Sequence, residues 1–362
     1  MKKIILYLLF GILLFSFIDR VKASTDTAYS YVLMDMDNGR VYESKNKDKP
    51  MLIASISKIM TCIIAIENKD IEEEVVVDES IKDSYGSGIY ISVGEKIKLK
   101  DLLYGLMLRS GNDAAKMIAS YVASSEEEFV KLMNKKALEL GMKNTIFYNA
   151  SGLDNNTQGN LSTAYDMALV TKYAMKNDIY REIVSTKKHV VKTNMKSYIW
   201  HNKNKLLQYD YITGGKTGYT EKAKRTLVST ASKDNINLVV VTIKDSDDWN
   251  THISLYQKIF DNYKSYLVVS KKRFSVLGDD YYDNLYIKND IYITLRKDET
   301  KKVVSHIKLK KLKHYKDGDK VGENLIYVDN VLVHKEDIYV RKIDSSKKNN
   351  IFSKIKKYFS KW

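Results

Sequence analysis

The stretch TLVSTASKDNINLVVVTIKD, residues 226–245, limits the folds open to this 362-residue chain more than any other. Two apolar, strand-like runs meet at the polar Asp234-Asn235 pair, which reads as the turn of an antiparallel hairpin. Further strand texture precedes it in HVVKT, from His189, and a helical pattern follows from about Trp249 to Tyr263. Upstream, YVLMDMDNGRVYES (residues 31–44) alternates about Asn38-Gly39 and predicts a hairpin with a type I′ turn. Between these strands the period changes to that of helices. Ile56, Ile59, Met60, Ile63 and Ile64 share one face from Ser55 onward, and further helices are predicted over about Leu99–Val122 (interrupted by RSGND), Glu126–Leu140 and Thr163–Ala174. The order strand, helices, strands, helix predicts an α+β domain, an antiparallel sheet with helices packed against it.

Beyond Tyr263 the helical period disappears. Ile291, Ile293 and Leu295 alternate with polar positions, as do Val303, Ser305, Ile307 and Leu309, while KDGDK and VDN supply turns. A small all-β domain over residues 267–342 follows from this. The last segment, SSKKNNIFSKIKKYFSKW (residues 345–362), places Ile351, Phe352, Ile355, Tyr358, Phe359 and Trp362 on one helix face with lysines around it. Such a helix suits the interface of an anionic membrane, where its apolar face is covered.

The first residues have a basic start at Lys2 and Lys3, an apolar stretch from Ile4 to Ile18 and a small-residue exit at Ala23. Residues 1–23 therefore read as a secretory signal, since the apolar run is short for a spanning helix. The expected location is the outer face of the cytoplasmic membrane, peripherally held by the C-terminal helix. The net charge of +15 calls for an anionic partner, and export points to a membrane or wall polymer and away from nucleic acid. Cys62, the single cysteine, lies in an apolar run and reads as a small core residue. The six histidines form no helix-face ligand pair, so neither metal nor other cofactor is expected.

The chemistry begins at ASISKIMT. Ser55 and Lys58 are three residues apart, side by side on a helix, and a lysine amine activates a serine hydroxyl once burial or a nearby cation lowers its pKa. The spacing alone proves little, because Ser44, Ser185, Ser305, Ser345 and Ser353 also match Ser-x-x-Lys. Ser55 differs in heading a long apolar helix able to bury its lysine, and it also reads as an ordinary helix cap. LRSGNDAA adds Ser110, to relay protons, and Asn112, to hold a substrate amide; TGGKTGYT adds Lys216, Thr217 and Gly218, the glycine allowing a substrate backbone to approach.

With its three motifs in this order, the chain resembles the low-molecular-mass penicillin-binding proteins, serine D-alanyl-D-alanine carboxypeptidases of peptidase family S11. The likeness extends through GIYISVGEKIKLKDLLYGLMLRSGNDAA, STAYDMALVTKYAM and GGKTGYTEKAKRTLVSTA and covers about residues 25–262. It implies a penicillin-binding or β-lactamase-like domain over residues 24–263, with helices on both sides of the sheet. It also implies that Ser55 attacks the terminal D-Ala-D-Ala bond of a peptidoglycan pentapeptide stem, Lys58 takes its proton, and Ser110, assisted by Lys216, passes a proton to the leaving D-alanine. Asn112 would bind the substrate amide, Lys216 and Thr217 its carboxylate, and the Ser55 and Tyr219 amides its oxyanion. β-Lactam antibiotics would inhibit by acylating Ser55.

Two positions depart from the pattern, Ile53 where a proline is common and Lys224 where a glycine usually follows Ala223. A class A-like β-lactamase is disfavoured because no Glu-x-x-Leu-Asn segment lies between Ser110 and Lys216. A DD-endopeptidase would use the same motifs, and a catalytically silent envelope-binding protein would have no need to keep all three.

Overall fold

A computed structural model describes residues 27–155, 158–282 and 284–341. The expected signal and the expected C-terminal helix lie outside the described residues. No helix among the described residues is long and apolar enough to cross a membrane.

A five-stranded antiparallel sheet forms the centre of the first domain. Its strands are β1 (Ala28–Asp35), β2 (Val41–Lys45), β3 (Ile212–Thr220), β4 (Lys224–Lys233) and β5 (Ile236–Asp245), in the order β2-β1-β5-β4-β3. Side chains of β1 alternate between two cores: Val32 and Met34 face one, Tyr31 and Leu33 the other. The first core holds α1 (Lys58–Asn68), α2 (Leu99–Tyr104), α3 (Asn112–Ala123), α4 (Glu126–Glu139), α5 (Ala164–Ala174) and α6 (Asp178–Ser185). The second is closed by α7 (Asp248–Asn262), through Leu255, Tyr256 and Ile259. Helices therefore cover both faces, as a hairpin apolar on both sides requires.

Turn chemistry differs from expectation at one place. Asp234 and Asn235 both have positive φ, 52° and 60°, as a two-residue type I′ turn needs. In the first hairpin only Gly39 does, at 84°, and Gly39 N–H donates to Asp35 O while Asp35 N–H donates to Arg40 O. That connection is longer than the expected Asn38-Gly39 turn, because the Asp35 carboxylate also accepts from the amides of Asp37 and Asn38 and fixes a wider loop. Helix α6 is absent from the sequence reading: it is eight residues long and flanked by strand texture.

The second domain starts as soon as α7 ends. Strand β6 (Lys264–Val269) pairs with β7 (Ile291–Leu295), and β8 (Val303–Leu309), β9 (Lys320–Val328) and β10 (Val331–Val340) form a sheet with the short strand Leu285–Tyr286 at its other edge. Asp329 and Asn330, with φ of 53° and 64°, make the β9–β10 turn. The domains are joined by Arg40, which ion-pairs with the nearly buried Glu299 at 2.5 Å.

Candidate active site

Ser55 lies in a single 3-10 turn, Ala54–Ser57, that leads into α1. Its hydroxyl makes no capping bond, so the cap reading of Ser55 does not hold. The turn is tight: Ala54 sits at φ 50°, and its carbonyl lies so close to Gly152 that any side chain there would collide with it. Thr61 Oγ1 donates to Ala150 O at 2.7 Å and ties the segment around Gly152 to α1.

Lys58 is fully buried. Its Nζ lies 3.0 Å from Ser55 Oγ and 2.7 Å from Asn112 Oδ1, and it also donates to the Ser151 carbonyl. A neutral amine has two protons and one lone pair. Those protons match the two carbonyl oxygens, which cannot donate, and the lone pair then faces the one partner that carries a proton of its own, the Ser55 hydroxyl. Burial, with a contribution from the Lys203 cation, lowers the Lys58 pKa to about 7.

The second wall is the segment between α2 and α3. Helix α2 continues through one π-helical turn, Gly105–Arg109, and the chain leaves it at Ser110 in the left-handed region, φ 65°. Asn112 opens α3, and its Nδ2 donates to Tyr85 O at 2.6 Å. The carboxamide thus holds Lys58 with its oxygen and the 85–90 loop with its nitrogen, where the family likeness implied contact with a substrate amide. Asp113 holds the same loop by accepting from the amides of Ile89 and Tyr90. Lys203 reaches across from its own loop: its amide donates to Leu108 O at 3.1 Å and its Nζ to Ser87 Oγ at 3.2 Å.

Strand β3 forms the third wall. Lys216 is buried, donates from Nζ to Thr217 O at 2.7 Å, and is held well below the usual lysine range by burial and by Lys58 and Lys203. A side chain at Gly218 would strike Thr226 Oγ1 and come within 3.0 Å of the Ser55 amide nitrogen. What approaches Gly218 is therefore the turn that carries Ser55, a physical reason for the glycine different from the one expected. Tyr219 follows, half exposed, at the edge.

Ser55, Ser110, Lys203, Thr217, Gly218, Tyr219 and Arg225 line one cleft of about 300 Å³. Lys58, Asn112 and Lys216 stand directly behind them. All eight residues singled out by motif thus converge. Sequence reasoning missed the Ser151 carbonyl, Lys203 and Arg225. Arg225 is gripped by Asp248, with Nε to Oδ2 at 3.1 Å and Nη2 to Oδ1 at 2.5 Å, and its guanidinium lies 5.5 Å from the Trp249 ring centroid. With 60 Lys and Arg in the chain, nothing local distinguishes Lys203 or Arg225; only Asp248 and Trp249 at the start of a predicted helix gave a faint signal.

Residues 19–247 match the family model described as D-alanyl-D-alanine carboxypeptidase, and residues 275–344 match that of the penicillin-binding protein 5 C-terminal domain. The chain is 37% identical over 257 residues to D-alanyl-D-alanine carboxypeptidase DacF of Bacillus subtilis, covering 67% of this chain and 66% of that protein. It is 32% identical to DacC of Escherichia coli, covering 63% of this chain and 59% of that one. Among solved structures, penicillin binding protein 5 from Haemophilus influenzae superposes with a TM-score of 0.73 at 26% identity, over 87% of this chain and 97% of that one.

Proposed function

From its membership of the D-alanyl-D-alanine carboxypeptidase family, to which this chain belongs, we propose that it is a serine-type carboxypeptidase that removes the terminal D-alanine from peptidoglycan pentapeptide stems. The observation that carries this reading is the fully buried Lys58 amine 3.0 Å from Ser55 Oγ. In acylation, Lys58 takes the hydroxyl proton as Ser55 Oγ bonds to the carbonyl carbon, and the C–N bond to the last D-alanine breaks. Ser110, assisted by Lys216, relays the proton to the departing amine. The amides of Ser55 and Tyr219 hold the oxyanion, and the missing side chain at Gly218 lets the strand lie against the turn that carries Ser55. Water then adds to the acyl carbon, Ser55 leaves with a proton, and the shortened peptide is released.

The substrate's terminal carboxylate needs a cation that stays charged. Lys216 is buried and its pKa is lowered by burial and by the neighbouring cations, and a carboxylate placed beside it favours the charged ammonium again. Arg225, paired with Asp248 at the wall of the same cleft, adds a guanidinium, and Thr217 a hydroxyl donor, to the share that the family likeness gives Lys216. Penicillins acylate Ser55 and depart slowly. Residues 1–23 direct export, residues 24–263 catalyse, residues 267–342 form the β domain, and residues 345–362 hold the enzyme on the outer face of the membrane.

Fluorescent penicillin labelling tests the acyl-enzyme: wild type labels, Ser55→Ala does not, and equal labelling of both refutes the assignment. Mass spectrometry of a muropeptide pentapeptide after incubation should find one D-alanine lost. Cleavage of a cross-linked dimer with the pentapeptide untouched would assign the endopeptidase reaction instead.

A further inference from the structure

The edge strand of the second domain carries a charge distribution that the reaction does not use. Along β8 and the extended chain after it, Ile307, Leu309, Leu312 and Tyr315 turn toward the domain core, while Lys308, Lys310, Lys311 and Lys313 are exposed. Elsewhere in the sheet the lysines are neutralised, Lys320 by Asp337 at 2.6 Å and Lys335 by Glu323 at 2.7 Å, as is Lys302 just before β8, by Asp329 at 2.9 Å. Among the described residues none of the four strip lysines has an ion-pair partner. Glu323, directly across the ladder from Lys308, is already taken by Lys320 and Lys335.

The strip is also held in place. Lys310 N–H donates to Val321 O at 2.8 Å, Leu312 N–H to Tyr282 Oη at 3.0 Å, and Tyr281 Oη to Leu312 O at 2.7 Å. The backbone under the row is fixed, Lys311 Nζ lies 5.5 Å from the Tyr281 ring centroid, and no anionic side chain among the described residues offsets the four charges, so a negatively charged surface meets positive charge already gathered on one edge.

Its position indicates what it faces. The turn that ends the strip is bonded to the end of β10: Gly318 N–H donates to Val340 O at 2.9 Å and Val340 N–H to Asp319 O at 3.0 Å. The chain leaves the described structure one residue later, at Arg341, with 21 residues still to come. Seven of these are lysines, and they include the segment assigned above to the membrane. The strip and the departing tail thus belong to the same end of the domain.

We propose that Lys308, Lys310, Lys311 and Lys313 form a second membrane contact, which lays this edge of the β domain on an anionic lipid surface and sets the orientation of the catalytic domain above it. The inference builds on the anchoring role of residues 345–362 but depends on different atoms. A single amphipathic segment gives reversible attachment, and a basic patch supplies the second signal that makes it stable.

The test uses the full chain and vesicles of phosphatidylglycerol with phosphatidylcholine, against vesicles of phosphatidylcholine alone. K308Q/K310Q/K311Q/K313Q should bind anionic vesicles on the order of 10²-fold more weakly and with a shallower salt dependence, while binding to neutral vesicles and penicillin labelling at Ser55 stay unchanged. Unchanged affinity for anionic vesicles overturns the proposal, as does an equal loss on both vesicle types. Inorganic polyphosphate in solution separates another source: if the four substitutions weaken polyphosphate binding and leave vesicle binding alone, the strip reads a soluble polyanion and the lipid assignment falls. A tail variant, Phe352→Ser with Phe359→Ser and Trp362→Ser, reports on the anchor separately. If it binds vesicles as wild type does while the lysine variant does not, the anchoring role of the tail is refuted and the strip stands.

Discussion

The strongest quantitative consequence concerns the protonation of Lys58. An ordinary lysine, with a pKa near 10.5, would be neutral in only about 3 × 10⁻⁴ of molecules at pH 7, whereas a value of about 7 makes about half of them neutral. The buried site thus raises the population of the competent base by on the order of 10³. Because only the neutral amine accepts the Ser55 proton, the rate of acylation should follow its titration. Stopped-flow labelling with a fluorescent penicillin should give a rate rising tenfold per pH unit below neutrality and levelling off above pH 7, with the value at pH 5 roughly 10²-fold below the plateau. Lys203 is one cause of the depressed pKa, so Lys203→Gln should move the midpoint upward. A midpoint near 10 in the wild type would refute the burial argument. A downward shift in the Lys203 variant would refute its electrostatic part.

Three other perturbations follow from the same geometry. Arg225→Gln removes a charged donor from the cleft and should lower kcat/KM for a peptide ending in a free carboxylate by roughly 10- to 10²-fold, leaving the C-terminal amide unaffected; equal losses on both would end the carboxylate assignment. His252 is buried between Ser229 and Thr242, and burial lowers its pKa from 6.5 to about 3. The unfolded chain therefore binds a proton that the folded one refuses. Stability should be full above pH 6.5 and fall by up to about 4–5 kcal/mol as pH drops from 6.5 to 3, measured by urea unfolding, and His252→Gln should flatten that slope. Lys224 holds φ 59°, a conformation glycine adopts freely, so Lys224→Gly should stabilise the protein by about 1 kcal/mol in the same assay; a loss would show that the side chain's own contacts outweigh the backbone strain.

Strand β6 directly continues α7 at Lys264, and the Arg40–Glu299 pair locks the first hairpin to the second domain. The wide loop at Asp35–Arg40 is part of that junction, which places Arg40 where a tight two-residue turn would not. The catalytic sheet and the β domain are thereby linked at the sheet edge formed by β2, while the candidate active site occupies the opposite edge at β3.

Sequence alone determined the elements with strong periodicity and the groups with distinctive chemistry. The apolar hairpin around Asp234-Asn235 required cover on both faces, the 3.6-residue period after Ser55 required a helix, and three short motifs named Ser55, Lys58, Ser110, Asn112, Lys216, Thr217, Gly218 and Tyr219 before any distance was known. Burial was a different matter. Ser44 and Ser185 carry the same spacing to a lysine as Ser55, but Lys47 is half exposed and Lys188 exposed, whereas Lys58 is sealed by Asn112 and Ser151 from distant parts of the chain. A pKa depends on what surrounds a group in three dimensions, and spacing along the chain cannot encode that. The same reason hid Lys203 and Arg225 among many similar cations: what distinguishes them is the cleft they face, and that cleft exists only once α2, α3, β3 and the start of α1 are packed together.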